Sequence, residues 1–243
     1  MYDLTVKLNF SGPLMLPLAY NHILQSAVYS LLPETESFAT KMHDTGFTHG
    51  LHSYKLFCFG GLSGRHTVTG HQITFYNEVQ FKLRAVEYDF LEAAARTLAK
   101  RGQMRLLHTA ANVKNMTLVL SHIQSDTVHI RMISPVTVHR TDENRKTIYY
   151  APFESEFALL VDLNFRRKWE AWCGLAPESG VALRPLAVTV RDKCVTTFKK
   201  IYITGYLGEY ELHGDPDSLE FLYAAGLGDR NSQGFGMFEV LDA

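Results

Sequence analysis

The chain opens on an alternation of apolar and polar residues, YDLTVKLNF (2–10), the two-residue period of a half-buried strand. Pro13 and Pro17 interrupt it, and the period then lengthens. Between Tyr20 and Leu32, the residues Ile23, Leu24, Ala27, Val28, Leu31 and Leu32 fill one half of a helical wheel at about 100° per residue, and Pro33 should end the helix. His22, Gln25, Ser26 and Tyr29 share the opposite, polar face, so Tyr29 is expected to point away from the core. A shorter helical stretch, SFATKMHD (37–44), leads through a glycine-containing loop to a strand over YKLFCF (54–59). Two β-patterned runs follow, HTVTGHQITFY (66–76) and EVQFKLRAVEY (78–88). The helix YDFLEAAARTLAKRG is then stopped by Gly102, and a strand pair over RLLHT (105–109) and NMTLVLSHI (115–123) closes the half.

After the polar joint QSDT the pattern repeats. Strands are expected at VHIRMISPVTVHR (128–140) and KTIYYAP (146–152), then a helix over SEFALLVDLNFRRKWEAWCG (155–174). Strands at LRPLAVTVR (183–191) and VTTFKKIYITGYLGEYEL (195–212) precede a helix over DPDSLEFLYAA (215–225), a glycine-rich loop and a last short strand, GMFEVL. Both halves share the rhythm βαββαβ, so the chain reads as α+β, two tandem ferredoxin-like domains divided as 1–122 and 123–243. Such a sheet can leave one face open, and RNA-recognition domains stack bases on that face. The fold alone assigns no such use.

Composition narrows the classes. The chain has 243 residues, 46% of them hydrophobic and 20% charged, which excludes disorder. No apolar run approaches the ~18 to 20 residues of a membrane span, and the N-terminus lacks a secretory pattern, so a cytoplasmic protein with no membrane partner is expected. Cys58, Cys173 and Cys194 share no close spacing, which suggests neither a disulfide framework nor a zinc site. A net charge of −1 argues against indiscriminate coating of nucleic acid, so any RNA site must be local. Residues 209–243 carry eight carboxylates and, of Lys and Arg, only Arg230.

The loop GLGDRNSQGFG sets Gly226, Gly228, Gly234 and Gly236 around a polar insert, DRNSQ. Glycines permit positive φ, through which consecutive N–H groups can converge on a phosphate; the alternative is a mobile turn between helix and strand. A dinucleotide fingerprint needs a strand before the glycines and a helix after them, the reverse of the order here, and no Gly-Lys-Ser/Thr is present. No nucleotide cofactor is expected.

GLGDRNSQGFGMFEV resembles the C-terminal G-loop of the RAMP superfamily, and in particular of the sixth-numbered Cas family, the CRISPR-associated endoribonucleases that process precursor crRNA. LPLAYNHILQSAVYSLL is similar to that family's first helix, YKLFCFGGL to its following strand, SPVTV to its mid-chain strand and YAPFESEF to the start of its third helix. The resemblance covers the whole chain. It implies tandem ferredoxin-like domains and metal-independent cleavage of precursor crRNA within the CRISPR repeat by 2′-hydroxyl attack. The products would carry 2′,3′-cyclic phosphate and 5′-hydroxyl ends. No cofactor and no metal are implied. The partner is repeat RNA, with other Cas proteins of an effector complex as further candidates. A non-catalytic RNA-binding subunit of such a complex is the alternative.

The same resemblance places catalysis on Tyr29, His43 and Lys55, and RNA binding on Gly226, Gly228, Arg230, Asn231, Ser232, Gly234 and Gly236. The residues alone leave other readings open. A helical tyrosine is commonly a core aromatic, a lone histidine at a helix end a cap, and a strand-edge lysine a guard against aggregation. An imidazole with a pKa near ~6.5 nevertheless suits proton transfer at neutral pH. Which of Tyr29 and His43 acts as base is left open. His22 is a reserve acid–base candidate; His49 and His52, three apart, could bind a metal or line the loop beside His43. Arg65, His66 and His71 could touch phosphate or be ordinary surface residues, and Arg166, Arg167 and Lys168 read as a solvated helix face in preference to an RNA patch.

Overall fold

The computed structural model describes residues 1–32 and 46–242. Its N-terminal sheet is built from β1 (Tyr2–Asn9), β2 (Phe57–Phe59), β3 (Glu78–Ala85), β4 (Gln103–Leu106) and β5 (Thr109–Leu120), in the order β2-β3-β1-β5-β4 with every pair antiparallel. The helices α1 (Asn21–Tyr29) and α2 (Tyr88–Arg101) lie between β1 and β2 and between β3 and β4 in the chain. Without the edge strand β4, this is the ferredoxin-like arrangement.

The C-terminal sheet repeats that order. It runs β7 (Ala182–Ala187), β8 (Glu209–His213), β6 (Thr127–Met132), β9 (Phe238–Asp242), again antiparallel, with α3 (Ser155–Cys173) after β6 and α4 (Pro216–Ala225) after β8. The chain is therefore two tandem ferredoxin-like units.

Local sequence explains the element ends. Gly102 and Gly174 adopt left-handed φ of 65° and 77° and stop α2 and α3. Asp215 caps α4 by accepting from Ser218 N at 2.8 Å, with Pro216 in the first turn. The expectation that α1 runs to Leu32 is corrected. Ser30 Oγ donates to Ala27 O at 2.7 Å, and Leu31 N and Leu32 N reach back three residues to Val28 O and Tyr29 O, so the helix tightens after Tyr29. Leu31 and Leu32 stay buried because that tighter turn keeps them on the core side. The short helix expected at 37–44 lies outside the described residues.

Among the described residues, a small three-stranded sheet and three two-stranded hairpins flank the two main sheets. Leu14–Pro17 pairs with Gln72–Phe75, which pairs in turn with His66–Thr69; Phe47–His49 pairs with His52–Tyr54. In the second half, His139–Thr141 pairs with Thr147–Tyr149 and Lys193–Phe198 with Ile201–Tyr206. The last, with β8 following it, explains why residues 195–212 read as one β-rich run.

One continuous apolar core passes through both units. At the seam between them, fully buried Arg84 of β3 donates from Nε and Nη2 to Asp3 Oδ2 at 2.9 and 2.6 Å. It also reaches Phe238 O and Glu239 Oε1 of β9, while its guanidinium lies 3.5 Å from the centroid of Tyr223 in α4. A buried guanidinium satisfied from both units fixes their mutual register, because moving either would strand its charge. Among the described residues, no helix is long and apolar enough to cross a membrane.

Candidate active site at the seam of helix α1 and the glycine loop

Most of the polar face of α1 is covered: His22, Gln25 and Tyr29 are half-buried and Ser26 is exposed. Asn21 Nδ2 donates to Gln233 O at 3.1 Å and Gly234 O at 3.3 Å, and Gln25 Nε2 donates to Ser232 O at 2.7 Å. The glycine loop of the C-terminal unit thus lies along the N-terminal unit's first helix. This corrects the expectation for Tyr29. Its ring packs edge-on against Phe57, with centroids 5.5 Å apart, and its hydroxyl meets the Ser232 side chain. Burial pushes the Tyr29 pKa up to about 12, against the Ser232 hydrogen bond, which lowers it. A helical wheel identifies a polar face; it does not reveal that backbone carbonyls from 200 residues away will cover it.

Lys55 is also displaced from its expected place. It does not open β2: the hairpin strand ends at Tyr54, and Leu56 takes a left-handed φ of 48° before β2 begins at Phe57. A buried leucine in that region is strained, and the strain is held by Val86 N donating to Leu56 O at 3.0 Å. The break sets Lys55 on the wall of a cleft of about 320 Å³, together with Tyr54, His139, Asn164 and loop residues Asp229 to Gln233.

Within the loop, the glycines themselves are buried. The N–H groups of Leu227, Asp229, Gln233, Gly234 and Gly236 donate to protein carbonyls, so they are committed internally. Half-buried Asp229, Arg230, Ser232 and Gln233 present the loop's side chains to the cleft. Arg230 adopts left-handed φ of 60° and reaches Gln233 Oε1 at 3.4 Å, while its Nε has no hydrogen-bond partner among the described residues. Asp229 accepts from Asn164 Nδ2 at 2.6 Å and from His139 N at 3.1 Å. His139 Nδ1 stands 2.7 Å from Asp229 Oδ2, near enough for ion pairing but not aligned for a straight hydrogen bond.

The reading of Lys168 as part of a solvated face is overturned. It is 2% exposed, and its Nζ donates to Gly226 O at 2.6 Å, Gly228 O at 3.2 Å and Asn231 Oδ1 at 3.1 Å. The face of α3 that carries it turns inward under the loop. Arg167, half-buried, is near enough to Tyr54 to lower that phenol's pKa, although burial raises it more. Arg166 pairs with Asp162 at 2.8 Å. Sequence reasoning therefore missed Tyr54, His139, Asn164, Lys168 and Gln233. Only Lys168 carried a usable signal, standing three residues after buried Phe165, seven after Val161 and eleven after Phe157 on the same helical stripe.

The remaining candidates sit apart. His22 Nδ1 contacts Ala19 O at 3.0 Å, and its ring meets Phe198 edge-on, so it lies where α1 touches the hairpin 193–206. His49 and His52 face each other across their hairpin, and His49 pairs with Glu170 at 3.4 Å. Among the described residues, no three His, Cys, Asp or Glu gather as a metal site. Arg65 lines a separate hollow with Lys7 and Glu78, and His66 Nδ1 contacts Gly64 O at 2.9 Å. His43 lies outside the described residues.

Comparison with known proteins adds a family. The family model described as CRISPR associated protein Cas6, C-terminal, matches residues 116–240. A CRISPR-associated endoribonuclease Cas6 of Methanocaldococcus jannaschii is 23% identical over 229 residues, covering 92% of this chain and 86% of that protein. A solved structure from a Cas6-related gene of Pyrococcus furiosus superposes with a TM-score of 0.85 at 15% identity, covering 100% of this chain and 98% of that one. A structure described as a RAMP protein binding different RNA substrates gives 0.82 at 18% identity, with 100% of both chains covered.

Proposed function

The chain belongs to the Cas6 family, and from that premise we propose that it is an endoribonuclease that binds the repeat of a precursor crRNA and cuts within it without a metal. The observation that carries this reading is the meeting at Ser232. One residue of the glycine loop joins the Tyr29 hydroxyl to the cleft that Lys55 lines.

The chemistry requires three tasks. The ribose 2′-oxygen attacks the adjacent phosphorus as its proton leaves. The phosphorane is supported, and the P–O5′ bond breaks as the 5′-oxygen gains a proton. A 2′,3′-cyclic phosphate and a 5′-hydroxyl result. Lys55 supplies the positive charge that steadies the phosphorane. Arg230 and Ser232 form the loop's side-chain contribution to RNA binding, with Gly226, Gly228, Gly234 and Gly236 shaping the turn that presents them. Asn231, expected among the RNA-binding residues, is buried with its amide committed to Lys168, Leu227 and Phe235 and braces the loop instead.

The pKa of Tyr29 divides the proton work. A phenol with a pKa of about 12 is a phenolate in only ~1 molecule in 10⁵ at neutral pH. Tyr29 therefore acts as a hydrogen-bond donor, orienting the 2′-hydroxyl or protonating the 5′-oxygen. The base is His43, a residue type whose unperturbed pKa suits proton transfer at neutral pH.

Tyr29→Phe is expected to lower the single-turnover cleavage rate about 10²-fold. In the wild-type protein, no limb of the pH–rate profile below about pH 10 should belong to Tyr29 ionisation. A limb near neutral pH that disappears in Tyr29→Phe would exclude this division of roles. Stability follows the same sign. The raised pKa contributes stability that is present below the ordinary tyrosine value and lost as pH rises through about 12, so Tyr29→Phe should unfold less steeply in alkali.

A further inference from the structure

Lys168 is a charged group buried in the C-terminal unit for which the cleavage chemistry above has no use. An ammonium removed from water is tolerated only where its N–H groups are all satisfied. Here all three are: two carbonyls of the glycine loop and the Asn231 amide oxygen receive them. Burial pushes the Lys168 pKa down to about 8, with Asp229 opposing the fall, so the group remains mainly charged at neutral pH. The network continues beyond it. Asn231 Nδ2 donates to Leu227 O at 2.8 Å and Phe235 O at 3.1 Å, carbonyls at the two ends of the loop. Asn231 is thus held on both sides of its amide. The residue that follows it is Ser232, whose backbone oxygen is fixed by Gln25 and whose side chain meets Tyr29.

We propose that Lys168 is a positioning residue for RNA cleavage: by clamping the loop through Gly226, Gly228 and Asn231, it sets Ser232 against the Tyr29 hydroxyl. The proposal rests on the reading of Tyr29 as part of the cutting site. It assigns to α3 of the C-terminal unit a part in catalysis performed by side chains of the N-terminal unit. The lysine acts through the loop, because its ammonium is spent on Gly226 O, Gly228 O and Asn231 Oδ1.

The test is a double-mutant cycle on the full chain with repeat RNA. Lys168→Met is expected to lower the single-turnover rate about 10- to 100-fold with the RNA Kd changed less than about 3-fold, since misplacement of a catalytic group costs rate and not encounter. In a Ser232→Ala background the same substitution should cost less than about 3-fold more, because its effect is routed through Ser232. Independent, additive losses would overturn the proposal, as would a loss in affinity alone. Hydrogen exchange gives a readout separate from activity. Residues 226–236 should exchange faster in Lys168→Met while both sheets remain protected, and unchanged exchange in the loop would also overturn the proposal. If wild-type protein binds the repeat without cutting it, the cleavage reading fails while the exchange result still decides whether Lys168 orders the loop. Should Lys168→Met not fold, Asn231→Ala breaks the same clamp from its other side and is held to the same two outcomes.

Discussion

Lys55→Ala is expected to reduce single-turnover cleavage of repeat RNA by about 10²-fold or more, with little change in RNA affinity. The reason lies in how the chain places this side chain. Lys55 follows the hairpin strand ending at Tyr54 and precedes Leu56, whose left-handed φ of 48° breaks the run into β2. The strain of order 1–3 kcal/mol at such a residue is sustained because Leu56 is buried and its carbonyl is held by Val86. Lys55 consequently faces loop residues 229 to 233 across the cleft instead of lying flat on a sheet edge. A cation at that position acts most strongly on the charge that develops as the phosphorane forms, which is why the loss should fall on rate. An equal loss in rate and affinity would identify Lys55 as an ordinary phosphate contact. Lys55→Arg, which keeps the charge with a different shape, should retain part of the activity.

Gly236→Ala is expected to destabilise the protein by about 3 kcal/mol or more and to remove activity with it. Gly236 has φ of 75°, and a Cβ built there would lie on the carbonyl oxygen of Leu227 and crowd the Asn231 amide. Its own N–H donates to Pro135 O at 2.9 Å and its carbonyl accepts from Leu227 N at 2.8 Å, so the backbone cannot retreat without opening the base of the loop. Two costs therefore add: the left-handed conformation and the displaced buried carbonyl. Gly12, which has open space around its Cα, supplies the control; Gly12→Ala should stay within about 0.5 kcal/mol of wild type in denaturant unfolding. Similar midpoints for the two variants would contradict the packing described for the loop.

The pattern of apolar positions carried the fold well and the site only in part. The two βαββαβ rhythms were legible because their strands alternate cleanly and because Gly102, Gly174 and Pro216 punctuate the helices where the structure ends or begins them. The hairpin at 47–54 was read as a glycine-containing loop, and that at 193–206 was run into the strand after it, since period-two patterning does not reveal which strand a run pairs with. Tyr29 and Lys55 were found through family resemblance. Their surroundings were not legible, because they depend on contacts between residues some 200 positions apart. Lys168 failed for a different reason. In the run Arg166, Arg167, Lys168 each residue type favours solvent, and only the three acceptors provided by the folded loop make burial of the third one tolerable.

The glycine loop is also changed in meaning. By composition it could have been a phosphate cradle of free N–H groups. In the structure several of those groups are spent internally and its glycines are packed, so it acts as a brace that carries a few side chains to the cleft.

The central claim is that this seam cuts RNA, and one measurement addresses it directly. Wild-type protein is incubated with its repeat RNA in excess chelator, beside the same RNA carrying a 2′-deoxyribose at the scissile nucleotide, and the product ends are identified. The account predicts one cut within the ribose substrate, giving a 2′,3′-cyclic phosphate and a 5′-hydroxyl, with the deoxy substrate bound equally well and left intact. Tight binding of both RNAs with neither cut would contradict it and identify an RNA-holding subunit.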